Sequence, residues 1–234
     1  AVAGESFMNA AGMIAGAGTR IRGALGKAID VYANYDYAIT QAGVIAGANA
    51  EQMDAFRKAT IQAGIETDWS PTQAAEALGN LSGMGLKANE ALDALIPTLG
   101  LASASLGQLN PEEAVTALMS VTNAYSVKAS KEVLNNLADM SIQMSNISSV
   151  APEELPHLFA ATAAGAKGAG QSMSEMFAVI SASHDVAGKT FTASAVNQFF
   201  GRMVDPKKQK QIKEAFGVET IDAATGQMRS SLEI

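Results

Sequence analysis

Cysteine is absent from the 234 residues, and histidine occurs only twice, at His157 and His184. The first absence excludes disulfides, thiol catalysis and cysteine-ligated zinc, though it suits several compartments. Aromatics are only 6% of the chain. Alanine and glycine fill much of the space, giving thin helices that approach closely and bury little area each. Long apolar runs are also missing. The longest uncharged stretch, Ala94 to Pro111, contains Pro97, Gln108 and Asn110 and makes a poor membrane span. Ser6 to Thr19 is too short to cross and has no basic region before it, so it does not read as a signal peptide. Its Gly12/Gly16 pair has the spacing of a close helix contact, but chance explains it in so glycine-rich a segment.

Basic residues are outnumbered 16 to 23, for a net charge of −7. Such a surface repels phosphate backbones, which argues against specific nucleic-acid binding by this segment. Hydrophobic residues make up 48%, enough for a real core and too many for disorder. Neither end reads as a natural terminus, so the chain is expected to be a fragment of a longer one.

What the sequence does contain is helix punctuation. In TDWSPTQAAEALGNLSGMGLK, Ser70 reads as an N-cap, Pro71 as the first helical residue and Gln73 as the return arm of a capping box. Trp69 can cover Ala74. Ala74, Ala75, Leu78 and Leu81 share one face, and Gly83 and Gly85 stop the helix. Asn110-Pro111-Glu112-Glu113 opens another helix, with Val115, Leu118, Met119 and Thr122 facing inward. Pro152-Glu153-Glu154 opens one ending near Gly165, Ser172-Met173-Ser174-Glu175 one carrying Phe177 and Ile180, and Asp205-Pro206 a short basic one ending at Gly217. Helical patterns also run from Ala88 to Ser105, with a kink expected near Pro97, and from Lys131 to Asn146. The fold class is therefore mainly α: an irregular multi-helix domain of about eight or nine short helices. Starts near 70, 110 and 149 hint at a forty-residue repeat, but the sequences do not match in detail, which favours an irregular domain over a solenoid.

Three segments are expected. Residues 1–30 form a Gly/Ala-rich helical segment, loosely periodic in Phe7, Met8, Met13, Ile14, Ile21, Leu25 and Ile29, which needs a packing partner. Residues 31–217 form the helical core. Residues 218–234 read as a small β-hairpin turning at Thr225-Gly226 and packed on the helices.

No residue is assigned a catalytic, cofactor-binding or metal-ligating role. His184-Asp185 has the elements of a general base, but no partner nucleophile is recognisable and neither HExxH nor GxSxG occurs. A polar pair near a helix end, favoured by the helix dipole, explains it. His157 has no acidic companion at ligand spacing. The stretch from Gly165 to Ser172 lacks the GK[ST] ending and a preceding strand, so it reads as a helix–helix loop rather than a phosphate cradle. Lys207, Lys208, Lys210 and Lys213 could meet an acidic partner, though a solvated face explains them equally. Glu51, Asp54, Glu66 and Asp68 lack calcium-loop order.

The order of these pieces resembles the core region of phage tail tape measure proteins. The resemblance runs from Tyr35-Asp36-Tyr37-Ala38-Ile39 and Ala50-Glu51-Gln52-Met53, through the segment from Thr67 to Leu78, to Leu81-Ser82-Gly83-Met84-Gly85-Leu86 and Leu99-Gly100-Leu101-Ala102-Ser103-Ala104. It continues in Ala138-Asp139-Met140, Ser145-Asn146-Ile147-Ser148, and Phe216-Gly217-Val218 with Asp222 and Gly226-Gln227-Met228-Arg229. It covers residues 31–234 and departs from the family between Ala187 and Phe200.

The resemblance implies a non-enzymatic structural protein that sets tail tube length, templates tube polymerisation and leaves during genome or effector ejection. It implies no cofactor. The implied partners are the tail tube protein, tail tip or baseplate proteins, tail assembly chaperones and further copies of itself in a homo-oligomer. Membrane contact would belong to other parts of the parent chain. The implied location is the virion, in the tail tube lumen or tip, after synthesis in the bacterial host cytoplasm. The competing readings are a helical protein–protein interaction or adaptor module and, less well supported, an enzyme using His184.

Overall fold

The structure, a computed structural model, describes residues 2–188, 192–224, 226 and 228–230, with side chains from residue 23. Ten α-helices occur among the described residues: α1 (Val2–Ala46), α2 (Ala50–Glu66), α3 (Pro71–Gly83), α4 (Ala88–Ala104), α5 (Pro111–Tyr125), α6 (Lys131–Ile147), α7 (Leu155–Gly168), α8 (Met173–Ala187), α9 (Ala193–Val204) and α10 (Pro206–Phe216). A 3₁₀ turn, Pro152–Glu154, leads into α7.

The caps do what the sequence predicts. Gln73 N donates to Ser70 Oγ (3.3 Å), and Ser70 N donates to Gln73 Oε1 (3.0 Å). Asn110 with Glu113 and Ser172 with Glu175 close the same reciprocal box. Each satisfies two donors that a helix start leaves orphaned. Asp205 Oδ1 accepts from both Lys207 N (2.8 Å) and Lys208 N (3.2 Å), starting α10. Gly85 (φ +105°) follows the end of α3, and Gly217 (φ +70°) ends α10 in the left-handed region that favours glycine. Pro97 lies inside α4 and is buried.

Odd and even helices form two rows. α1, α3, α5, α7 and α9 pack each on the next, and so do α2, α4, α6 and α8, with further contacts between the rows. This order departs from the irregular packing expected. Successive odd-row caps at Ser70, Asn110, Ala151 and Thr192 recur every 40 or 41 residues. The first three are each followed by proline and then by Gln73, Glu113 or Glu154, whose side chain accepts from the cap backbone. The repeat is structural. Its buried faces demand only small or apolar residues, so the sequences need not match.

The core runs along the interface between rows, with Phe56, Leu78, Leu95, Leu118, Phe159 and Phe200 fully buried. Alanine permits close seats: a β-carbon at Gly79 of α3 would meet Ala42 of α1 at 3.7 Å. Phe159 and Phe177 join α7 to α8 with ring centroids 4.8 Å apart.

The C-terminal hairpin is a correction. No strand is found among the described residues; Ile221 and Met228 form one isolated antiparallel bridge. Arg229 N donates to Thr220 O (2.9 Å), and Gly226 N donates to Asp222 O (2.8 Å), closing a tight turn. Asp222 Oδ1 also takes Ala224 N (2.7 Å). Local side-chain-to-backbone bonds displace a ladder here, and two short strands are marginal in any case. Thr225, Gln227 and residues 231–234 lie outside the described residues. The expected boundary after residue 30 falls inside α1, which continues through it without a break.

Candidate assembly surfaces

The chemistry-bearing side chains come first. Ser149, in the loop after α6, meets His184 and Asp185 at the end of α8. Ser149 Oγ lies 2.8 Å from His184 Nδ1, and His184 Nε2 lies 3.3 Å from Glu154 Oε2. Those distances suit a serine–histidine–carboxylate relay, but the proton traffic does not. Asp185 Oδ1 accepts from both the Ser149 amide (2.7 Å) and the Ser149 hydroxyl (2.8 Å), so the hydroxyl proton is directed to a carboxylate rather than to His184. These bonds also hold the Asp185 carboxyl below its ordinary range. The group is a polar clamp fastening the α6–α7 loop to α8. The sequence places His184 and Asp185 at a helix end; it gives no sign that Ser149 and Glu154, about 30 residues away, complete the set.

The other sequence candidates do not converge. His157 is exposed on α7. Gly165 to Ser172 forms the end of α7 and its loop into α8, where buried Gln171 donates Nε2 to Arg229 O (3.1 Å). No cluster of three or more metal-ligating His, Asp or Glu residues occurs among the described residues. No described helix is long and apolar enough to cross a membrane.

The surface carries a clearer signal. Leu25 (58% exposed), Ile29, Val31 and Tyr32 (65% exposed) stand in solvent along α1. Leu25, Ala28, Tyr32, Tyr35, Ile39 and Ala42 alternate steps of three and four, the spacing of a coiled-coil seam. Ile39 and Ala42 are fully buried against the domain, so one stripe passes from the core onto an open helix. A second apolar surface is a groove of about 560 Å³ between α9 and α10, floored by Phe199, Met203, Ile212 and Phe216 and edged by Arg202 and Lys208. A third, at the other end of the array, exposes Tyr37, Val44, Ile61 and Ile65 on α1 and α2.

Among the described residues, then, the two-row helical array presents open apolar faces at both ends. The comparisons give the class: the chain belongs to the phage-related minor tail protein family, whose model matches residues 57–234. It is 25% identical over 206 residues to the tape measure protein of Pneumococcus phage Dp-1, a match covering 87% of this chain and 18% of that protein. No solved structure matches it. The protein is thus a structural component of a phage tail.

Proposed function

We propose that the chain is the core domain of a tape measure: it helps set tail tube length, templates tube polymerisation, and departs when the genome or effector is ejected. The observation carrying this reading is α1. Its 45 residues span about 68 Å as a straight helix. Its seam outruns the domain that buries the other end. Lys27 and Asp30 stand off that seam. Copies held side by side through α1 would form the start of a ruler, inside the tube lumen or at the tail tip. The partners would be the tube protein, tip or baseplate proteins and assembly chaperones. Residues 31–217 act as the anchored unit and 1–30 as its extension.

Tube length by electron microscopy tests the reading. An in-frame deletion of a helical segment outside residues 1–234 in the parent gene should shorten tubes by roughly 1.5 Å per residue removed. Tubes of unchanged length would refute the ruler and favour a helical adaptor. The side-by-side contact has its own test. Sedimentation should show the wild type self-associating and Leu25→Glu with Tyr32→Glu dissociating, with core helicity retained.

A further inference from the structure

We propose that the two ends of the helical array meet head to tail between neighbouring copies, the α9–α10 groove of one receiving the α1–α2 end of the next. The proposal rests on the side-by-side reading for its geometry, but its contact is read separately.

α10 is an under-buried element. None of its eleven residues is buried, yet Ile212, Ala215 and Phe216 lie at i, i+3 and i+4 on one side. Phe216 is 76% exposed. A helix this short does not persist in water on propensity alone. It is held at the corner by the Asp205 cap and by Gln209 Nε2 donating to Met203 O (3.1 Å). On α9, Phe200 is fully buried and fixes Phe199 beside it, ring centroids 5.5 Å apart, as one wall of the groove. The groove is therefore preformed, apolar and open where the next helix pair of the array would stack. A volume of about 560 Å³ lies in the range of real binding grooves.

The opposite end has the matching form. Tyr37, Gln41 and Val44 recur at i, i+4 and i+7 on the face of α1 turned away from its buried Ile39 and Ala42. Ile61 and Ile65 are likewise exposed, on the neighbouring α2. Stacked helical arrays need polar caps at both ends, and among the described residues each end instead leaves large apolar side chains exposed, Phe216 at one and Val44 and Ile65 at the other.

Charge selects the occupant. From Arg202 to Gly217 five basic residues face two acidic ones, a net of +3 in a chain of net −7. From Asp36 to Asp68 five acidic residues face two basic ones, a net of −3. Lys210 and Lys213 pair with Glu214 and Glu219, whereas Arg202, Lys207 and Lys208 form no ion pair among the described residues. The basic end of one copy thus complements the acidic end of another, and like ends repel. A nucleic-acid strand fits less well, since it needs a continuous cationic track and the rest of the chain carries the remaining −10. Copies arranged around an axis by α1 would meet through unlike ends, and a heterologous contact that closes makes a ring.

Cross-linking reads this directly, because the chain has no cysteine to give background. Val44→Cys and Ile65→Cys chains are mixed with Phe216→Cys chains at high concentration and treated with a short bismaleimide. The expected products are mixed dimers at least tenfold above the same-site dimers, suppressed by high salt and by Arg202→Glu with Lys208→Glu. Equal same-site and mixed products would overturn the proposal, as would no mixed product at either acidic-end position. Displacement of the mixed product by oligothymidine would overturn the choice of occupant. Because all the altered side chains are exposed, an unchanged circular dichroism melt is expected. Association left intact by the α1 seam substitutions, with the mixed cross-link formed, would refute only the side-by-side reading. Retained association without the cross-link would refute only the head-to-tail contact.

Discussion

Gly64 of α2 lies flush against Pro71, the first residue of α3: a β-carbon at 64 would stand 2.8 Å from Pro71 Cδ. The proline ring is rigid and opens a helix, so it cannot swing aside. Gly64→Ala should lower stability by about 1–3 kcal/mol through overpacking, more than the roughly 1 kcal/mol gained in helix propensity. Gly79→Ala should do the reverse. Its β-carbon meets Ala42 at an ordinary 3.7 Å, and propensity then adds about 0.5–1 kcal/mol. Urea midpoints moving the same way for both would defeat this account of the helix seats.

The caps carry the repeat. Asn110→Ala removes the acceptor for Glu113 N, now 2.9 Å away. The expected loss is about 1 kcal/mol, with Asn110→Ser nearly neutral. A guanidinium midpoint unchanged in Asn110→Ala would show that tertiary packing alone sets this helix start.

Tyr125 should ionise late. Burial, and next the nearby Glu175, push its hydroxyl from 10.0 to about 12. The hydroxyl donates to Ser172 O (3.2 Å). The folded state favours the neutral phenol, so this stabilisation is complete below pH 10 and disappears as pH rises towards 12. Absorbance titration should show a late-ionising step near pH 12, and Tyr125→Phe should remove it. A titration curve unchanged by Tyr125→Phe above about pH 11 would contradict the burial.

At the acid end the sign reverses. Asp185 is held below its ordinary value by the Ser149 amide and hydroxyl, with His184 adding a smaller attraction. Its contribution is present above the unfolded carboxyl's pKa and is lost as pH falls through the depressed folded one. Ser149→Ala should flatten the acid limb of a stability-versus-pH curve. His184→Ala should leave any measured hydrolase activity at background. A His184-dependent turnover would revive the enzyme reading.

Much of this was legible because capping is local. Ser70, Asn110, Ser172 and Asp205 announce their helices within four residues. Asn49 and Gln52 make the same reciprocal box for α2, so that signal was present in the sequence and unread. Thr192 caps α9 with no acidic or amide residue three positions on, which leaves a weaker mark. The two rows were illegible for a different reason: alanine faces pack against many surfaces, so spacing of caps survives where residue identity does not. The seam of α1 was obscured by its glycines and emerged from the contrast between exposed Tyr32 and buried Ile39. The hairpin failed because Asp222 organises its own turn.

α1 is built in at one end like a cantilever. Its last dozen residues are seated on the domain; N-terminal to them the helix runs on for 33 or so residues, exposed over 23–34, a length of roughly 50 Å. A tilt of about 5° at the seat would swing the tip by roughly 4 Å over that length. The Ala42–Gly79 contact therefore acts as an aiming device, and any side chain larger than alanine at 79 would change where the rod points before it changed whether the domain folds.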